Sequence, residues 1–236
     1  MRQWSLFVLV AMALLGGCVT PCGMTCDRAM VTPEAAPAPA PPKETPLLDL
    51  ADAWWEHLMV TSPTWATYLG DRRFDDRLGD LSAAATEAHL ATARRVLDQL
   101  HAIERTADDP RDTVTWDVLD SVLRRTLDAR ICRGEEWSVD QLYGLQVRLP
   151  GLVNSHSIRD RRDVDTLAAR YAAIPTYVDQ HIENLKVGLA SGRVAFHVAV
   201  SRVIEQVDAL VAEAPGQSPF VNGVTLPDDW KETHKA

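Results

Sequence analysis

The chain has 236 residues, of which 46% are hydrophobic and 24% are charged, a composition typical of one globular domain with its own core. Its formal net charge is −9. An acidic chain without a basic stripe lacks the lysines and arginines that neutralise phosphates, so we expect no nucleic-acid partner.

Residues 1–17 predict a signal peptide. Arg2 supplies a positive charge, and the apolar run from Trp4 to Leu15 is too short to span a membrane comfortably. The run ends in L-G-G-C at Cys18, an arrangement similar to a bacterial lipobox, in which the cysteine becomes the lipid-modified N-terminus. Cys18 therefore predicts anchoring to membrane lipid at the bacterial cell envelope, on its periplasmic or extracellular side. The alternative is an ordinary signal peptide with an incidental cysteine.

Residues 18–46 predict a lipidated, disordered tether rich in proline and alanine, which cannot build a core. Cys18, Cys22 and Cys26 follow the spacing C-x3-C-x3-C, which is not a usual zinc pair. A local disulfide between Cys22 and Cys26 is the alternative in an oxidising compartment. Cys132 ends a helical pattern farther along and is expected to be a buried or semi-buried thiol.

From Leu47 onward apolar residues recur with the period of a helix, which predicts an all-α fold, a bundle-like array of about six to eight helices. Caps and breakers set the predicted segments, which are Leu48 to Met59, Thr64 to Leu69, Ser82 to Arg105, Pro110 to Ile131, Asp160 to Ala173, Pro175 to Gly192 and Val194 to Ala214. In the first helix either Trp54 or Trp55 faces the core. The last helix is expected to turn one stripe inward, namely Val200, Val203, Ile204, Val207, Leu210 and Val211.

Arg133 to Ile158 lacks this period and predicts a long ordered connection that contains a short helix at most. His156 lies in it, and two interpretations stay open: a residue of a loop-borne site, or a histidine that hydrogen-bonds local backbone. Residues 221–236 predict an irregular tail. Its polar ending is the one expected of a truncated or frameshifted chain or a gene fragment.

A charged cluster follows the second predicted helix. Charges of both signs surround Phe74 and Leu78 there, at Asp71, Arg72, Arg73, Asp75, Asp76 and Arg77. Adjacent carboxylates such as Asp75 and Asp76 can in principle do acid–base work. The favoured interpretation is that these charges pair with one another in a structured corner, which Phe74 and Leu78 fix to the core. The second interpretation is that the cluster has a role in a cleft. The sequence contains no H-E-x-x-H, G-x-G-x-x-G, P-loop or G-x-S-x-G motif.

The same stretch, Y-L-G-D-R-R-F-D-D-R-L-G-D-L-S, resembles the N-terminal signature of a bacterial family known as domain of unknown function 885. Further segments resemble the family in the same order: Tyr171 to Gly192, Arg202 to Val207, and S-P-F ending at Phe220. The resemblance extends from about Ala53 to Phe220. It implies an all-helical protein similar to zinc metallopeptidases, with many members exported or lipid-anchored.

In that family the zinc site is implied to lie in the C-terminal half, as a His-Glu pair, a further His and a downstream Glu, where zinc activates a water. This signature has no counterpart here, so residues 47–220 resemble a non-catalytic N-terminal lobe. No catalytic residue, metal ligand or cofactor is assigned to this chain. Zinc is expected only in a full-length member, and a missing C-terminal catalytic half is an expected partner.

Two alternatives remain open. One is a stand-alone helical lipoprotein that acts as a binding or scaffold module at the envelope, and the other is a catalytic unit of unknown chemistry. A fragment is expected to leave an apolar helix face uncovered, whereas a stand-alone protein is expected to close its core.

Overall fold

A computed structural model describes residues 45–105, 109–224 and 227 of the chain. Over these residues it contains four short 3-10 turns, no strand, and nine α-helices: α1 Pro46–Thr61, α2 Pro63–Tyr68, α3 Ala83–His101, α4 Pro110–Asp128, α5 Leu145–Ser155, α6 Arg161–Ala172, α7 Ile174–Ser191, α8 His197–Ala212 and α9 Pro219–Asn222. The all-α prediction is confirmed. The signal peptide, the tether up to residue 44 with Cys18, Cys22 and Cys26, and most of the tail lie outside the described residues.

Side-chain caps determine where the longer helices begin. Ser82 accepts a hydrogen bond from the backbone N–H of Ala85 at 3.1 Å, and Asp109 accepts one from Arg111 at 2.8 Å. Asp160 caps α6 in the same way, through the N–H of Asp163 at 3.1 Å. Each cap satisfies a donor that the first helical turn leaves unpaired, which is why these positions were predictable from sequence.

The core lies between α1, α3 and α4. Its buried side chains are Leu47, Trp54, Ala93, Val96, Leu100, Leu119 and Leu123. Trp54 is 4% exposed and Trp55 is 46% exposed, which settles which tryptophan faces inward. α3 ends at His101, four residues before the predicted end, and the chain then turns so that Ile103 packs against the same core.

A second group of buried residues belongs to α2, α5 and α6, namely Ala66, Leu149, Leu152, Val153 and Leu167. α5 occupies the predicted connection and is 11 residues long, with Pro150 inside it. Its buried residues fall in neighbouring pairs around this proline. Leu149, Leu152 and Val153 keep the helical spacing, but Pro150 and Gly151 between them are helix breakers, so the sequence pattern did not predict a helix of this length.

The inward stripe predicted for α8 is wrong for three of its six residues, whereas Val200, Val203 and Leu210 are half-buried. Ile204, Val207 and Val211 are 55%, 41% and 80% exposed. α8 is instead held by Gln206, whose amide donates to the backbone oxygen of Gln141 at 3.0 Å and accepts from Gln146 at 2.9 Å. Polar bonds on one side of the helix therefore leave its apolar stripe, from Ile204 to Val211, facing outward.

Cys132 corrects a second prediction, because its thiol is free and exposed. The helix α4 ends at Asp128 and continues as a 3-10 turn over Ala129–Cys132. A 3-10 turn has three residues per turn, so the side chains after Asp128 no longer follow the buried stripe of α4. Ile131 is 87% exposed for the same reason. Among the described residues, no helix is both long and apolar enough to cross a membrane.

Candidate functional site

The charged cluster of the sequence forms a corner after α2. Gly70 has φ of +86°, a backbone conformation that side chains other than glycine rarely adopt, and it turns the chain away from the helix axis. Asp71 then caps a 3-10 turn over Arg72–Phe74 by accepting from the N–H of Arg73 at 3.1 Å. We call residues 71–78 the corner. Its charged side chains divide into a buried layer and an exposed layer.

Asp75 is the centre of the buried layer and is 3% exposed. Its carboxylate accepts from the hydroxyl of Thr67 at 2.6 Å and from Nε of Arg72 at 3.2 Å. The guanidinium of Arg170, on α6, lies 3.6 Å away. Two cations and a hydroxyl therefore surround this carboxylate.

Arg170 is 0% exposed. It donates to the carbonyl of Phe74 at 2.7 Å, to the carbonyl of Arg77 at 3.0 Å and to the hydroxyl of Thr67 at 2.7 Å. Burial lowers the pKa of Arg170, although the charges of Asp75 and Asp76 oppose that shift. The side chain thus fastens α6 to the last residue of the 3-10 turn and to the chain that follows it.

Arg72 extends the buried layer to the segment between α5 and α6. It donates to the carbonyl of Ser157 at 2.9 Å and pairs with the carboxylate of Asp163. Burial alone would raise the pKa of Asp163, but hydrogen bonds from Arg159 and the charge of Arg72 lower it below its ordinary value. Asp163 is therefore ionised at neutral pH and receives cations from two sides.

His156 joins this layer through Asp163. It is 4% exposed, follows the last residue of α5, and its Nε2 lies 2.8 Å from the backbone oxygen of Asp163. Because a carbonyl oxygen only accepts, Nε2 is the donor and carries the proton. This is the backbone-bonding interpretation of His156, with a partner seven residues along the chain.

The exposed layer surrounds Phe74. Arg73 contacts Asp71 and reaches back to α1, where it binds both carboxylate oxygens of Glu56 at 2.8 and 2.9 Å. Arg77 binds Asp76 through two hydrogen bonds of 2.7 and 3.0 Å. These arginines hold the pKa of Asp71 and Asp76 below the ordinary value.

The aromatic ring in the middle is clamped by the same cations. The guanidinium of Arg73 lies 5.1 Å from the ring centroid of Phe74, and that of Arg77 lies 5.9 Å from it. Both distances lie within the range of cation–π attraction. Phe74 and Leu78 are half-buried, so the two apolar residues of the corner rest on the protein without being sealed inside it.

These contacts limit the chemistry of the corner. A general base needs a pKa near the working pH and access to substrate. Asp75 is covered by Arg170, and Asp76 is held ionised by Arg77. Over the described ranges, no group of three His, Cys, Asp or Glu residues is arranged to hold a metal ion. What the corner does is to join α1, α2 and α6.

Sequence reasoning treated the six charged residues and His156 separately, and the structure brings them into one connected set of contacts. It missed Thr67, Asp163 and Arg170, which complete the buried layer. A signal was present, because Asp163, Leu167 and Arg170 share the inward face of α6 at spacings of four and three. Charges of opposite sign on a buried face indicate partners elsewhere in the chain.

A comparison with models of known protein families matches residues 63–236 to the family described as bacterial protein of unknown function, DUF885. The chain belongs to this family. The DUF885 match begins at Pro63, the first residue of α2, and so includes the whole corner together with α3 to α9. No curated protein matches the chain.

Proposed function

We propose that this DUF885 protein is anchored by lipid in the bacterial cell envelope, on the periplasmic or extracellular side. The observation that supports the anchor is the sequence L-G-G-C ending at Cys18, directly after the apolar run that starts at Trp4. Acyl chains on Cys18 would hold the protein on the membrane surface without a spanning helix. The signal peptide is then residues 1–17, and the tether is residues 18–46.

We further propose that residues 47–220 serve as the non-catalytic lobe of a protein similar to zinc metallopeptidases. The support is the family match together with the state of the corner. Its carboxylates are neutralised by arginines, and Asp75 and Arg170 are sealed from solvent. In this proposal the corner fixes the angles between α1, α2 and α6, which form one wall of the substrate site in the full-length protein. Zinc belongs to the full-length relatives in this proposal.

The second candidate is a stand-alone binding or scaffold module. The exposed stripe of α8, from Ile204 to Val211, favours it, because contiguous apolar surface commonly marks a place where another protein binds. Both candidates share the lipid anchor and differ in the length of the natural product.

The anchor is tested by growing cells that express the protein with an alkyne-labelled palmitate. The wild type and Cys22→Ala should carry label and partition into detergent. Cys18→Ala should carry none and stay in the aqueous phase. Label that persists in Cys18→Ala, or a wild type that takes up none, contradicts the anchor.

The two candidate functions are separated by the size of the native product. An antibody raised against residues 47–214 is used to blot membranes of the source organism. A band far heavier than 26.1 kDa supports the lobe proposal, and zinc content and peptidase activity would then be measured on that product. A band near the mature size of this chain contradicts the lobe proposal and supports the binding module.

A further inference from the structure

Two histidines meet between α1 and α3, one of them next in sequence to Glu56 on α1. His57 on α1 and His89 on α3 bring Nε2 and Nδ1 to 2.9 Å from each other, and their ring planes differ by 14°. Parallel rings in face-to-face contact lie at least ~3.5 Å apart, so these two rings lie side by side. The ring centroids are 5.1 Å apart, which places both nitrogens between the rings.

The 2.9 Å contact between the two facing nitrogens requires one of them to donate a proton and the other to accept it through a lone pair. Burial lowers the pKa of both histidines, and the charges of His89 and Arg95 lower that of His57 further. In a neutral pair one ring donates its N–H and the other accepts through its lone pair. Either ring can move its proton to its second nitrogen, because both tautomers of neutral imidazole exist.

We propose that His57 and His89 form a binding site for a divalent transition metal of the class that imidazole ligates, such as Cu²⁺, Ni²⁺ or Zn²⁺. On binding, the donor ring shifts its proton to its outer nitrogen, so both facing nitrogens offer lone pairs and no net proton is released. Metal–nitrogen bonds of about 2.0–2.1 Å place two ligand nitrogens about 2.9 Å apart at the 90° angle of a tetragonal Cu²⁺ or Ni²⁺ site, and about 3.4 Å apart at the tetrahedral angle of Zn²⁺. The observed pair therefore has to open by at most about half an ångström, and each ring has to turn by roughly 35–45° so that its lone pair points at the metal.

Both histidines are half-buried, and a groove between α1 and α3 lies beside His57. It has a volume of about 570 Å³, and His57 lines it together with Thr92, Arg95 and Gln99. Two protein ligands leave coordination positions that water, or a donor atom of a molecule in the groove, can fill. Arg95 repels any cation here, and the carboxylate of Asp49 lines the same groove. We expect Cu²⁺ to give the tightest complex, because nitrogen ligands bind it more strongly than Ni²⁺ or Zn²⁺.

A metal held here would bridge α1 and α3, which are 32 residues apart at the two histidines and form two walls of the core. Binding to the folded state alone raises its stability by mass action. The site is independent of the lipid anchor and of the two candidate functions, since it uses only these two helices.

Trp54 supplies a built-in reporter. Its ring lies 5.3 Å from that of His57 and 5.5 Å from that of His89, so bound Cu²⁺ should quench its fluorescence. The full mature chain is titrated with Cu²⁺ after its thiols at Cys22, Cys26 and Cys132 are replaced by serine. We expect one equivalent to bind, electron paramagnetic resonance to show nitrogen coupling from two imidazoles, and the melting temperature to rise.

Matched variants decide the assignment. His57→Gln and His89→Gln should each weaken Cu²⁺ binding by at least about tenfold and lose the two-imidazole spectrum, because each removes one ligand. His101→Gln and His197→Gln, which change exposed histidines elsewhere, should bind within about twofold of the parent. The proposal is overturned if the parent shows no stoichiometric binding, or if both ligand variants keep its affinity. Spectra of the parent alone remain decisive should a variant fail to fold.

Discussion

Replacing Arg170 with methionine removes a guanidinium that is 0% exposed and makes three hydrogen bonds. Two of the acceptors are the carbonyls of Phe74 and Arg77, which lose their bond to it. Each buried acceptor left unsatisfied costs about 1–3 kcal/mol, and removing one partner of a buried ion pair costs about 3–5 kcal/mol. Asp75 keeps its bonds to Thr67 and Arg72, so the ion-pair cost is small and the two carbonyls set an expected loss of about 2–6 kcal/mol in total.

The measurement is urea unfolding of the mature chain, followed by circular dichroism at 222 nm. Arg162→Met is the matched control, because Arg162 is an exposed arginine on the same helix, and it should change the free energy of unfolding by less than about 0.5 kcal/mol. Arg170→Lys keeps the charge but loses the planar fork, so it should fall between the two. A loss in Arg170→Met no larger than in Arg162→Met would refute the reasoning.

Three further predictions follow from the same contacts. The pKa of Asp163 is lower in the folded protein than its ordinary value, so its carboxylate adds stability at neutral pH that disappears as the pH falls through the folded pKa. Asp163→Asn should therefore be less stable than the wild type at pH 7, and its urea unfolding midpoint should fall less steeply between about pH 5 and 3. Equal slopes of midpoint against pH in the two proteins would contradict this. Gly188→Ala should lower the free energy of unfolding by about 1–3 kcal/mol, because the added methyl group would overlap the backbone carbonyl of Glu136. Gly151→Ala places its methyl group in open space and should raise the free energy of unfolding, measured by thermal unfolding, by up to about 1 kcal/mol. Leu100→Ala should lower the free energy of unfolding by about 2–5 kcal/mol, because Leu100 is fully buried. Leu189 on α7 is 70% exposed, so Leu189→Ala should lower it by less than about 0.5 kcal/mol, and a similar loss in both variants would contradict the exposure of this face.

Helix boundaries were predictable where one residue decides them locally. Ser82, Asp109 and Asp160 each satisfy a backbone N–H two or three residues away, and Gly192 closes α7 with φ of +77°. These effects depend on neighbours in the chain, so the sequence contains the whole cause.

The buried side of a helix was predictable only where other helices pack against its apolar face. The stripe of α3 is buried because α1 and α4 cover it, as its periodicity indicated. The stripe of α8 has the same periodicity and is exposed, because Gln206 attaches the opposite part of the helix to Gln141 and Gln146. Periodicity shows that a helix has an apolar face, but whether another element covers that face is a property of the tertiary structure.

The candidate site shows a similar division. The charges of the corner were visible in one short stretch, whereas Arg170 comes from 93 to 103 residues farther along the chain. No local rule connects such distant positions. The available clue was the spacing of Asp163, Leu167 and Arg170 on one face of α6. It indicated that two buried charges need partners of opposite charge, but it did not indicate which residues those partners are.

The separation between Arg170 and the corner also orders events when the chain emerges N-terminus first, from the ribosome or from a membrane pore. Thr67 emerges 103 residues before Arg170. Through that interval Asp75 has Thr67 and Arg72 within reach, while the carbonyls of Phe74 and Arg77 bond to water. The α1–α3–α4 core can assemble first, since all its residues precede Arg170. When α6 emerges, Arg170 displaces that water and fixes the conformation of the corner. The corner therefore reaches its final structure late, although its residues lie near the start of the domain.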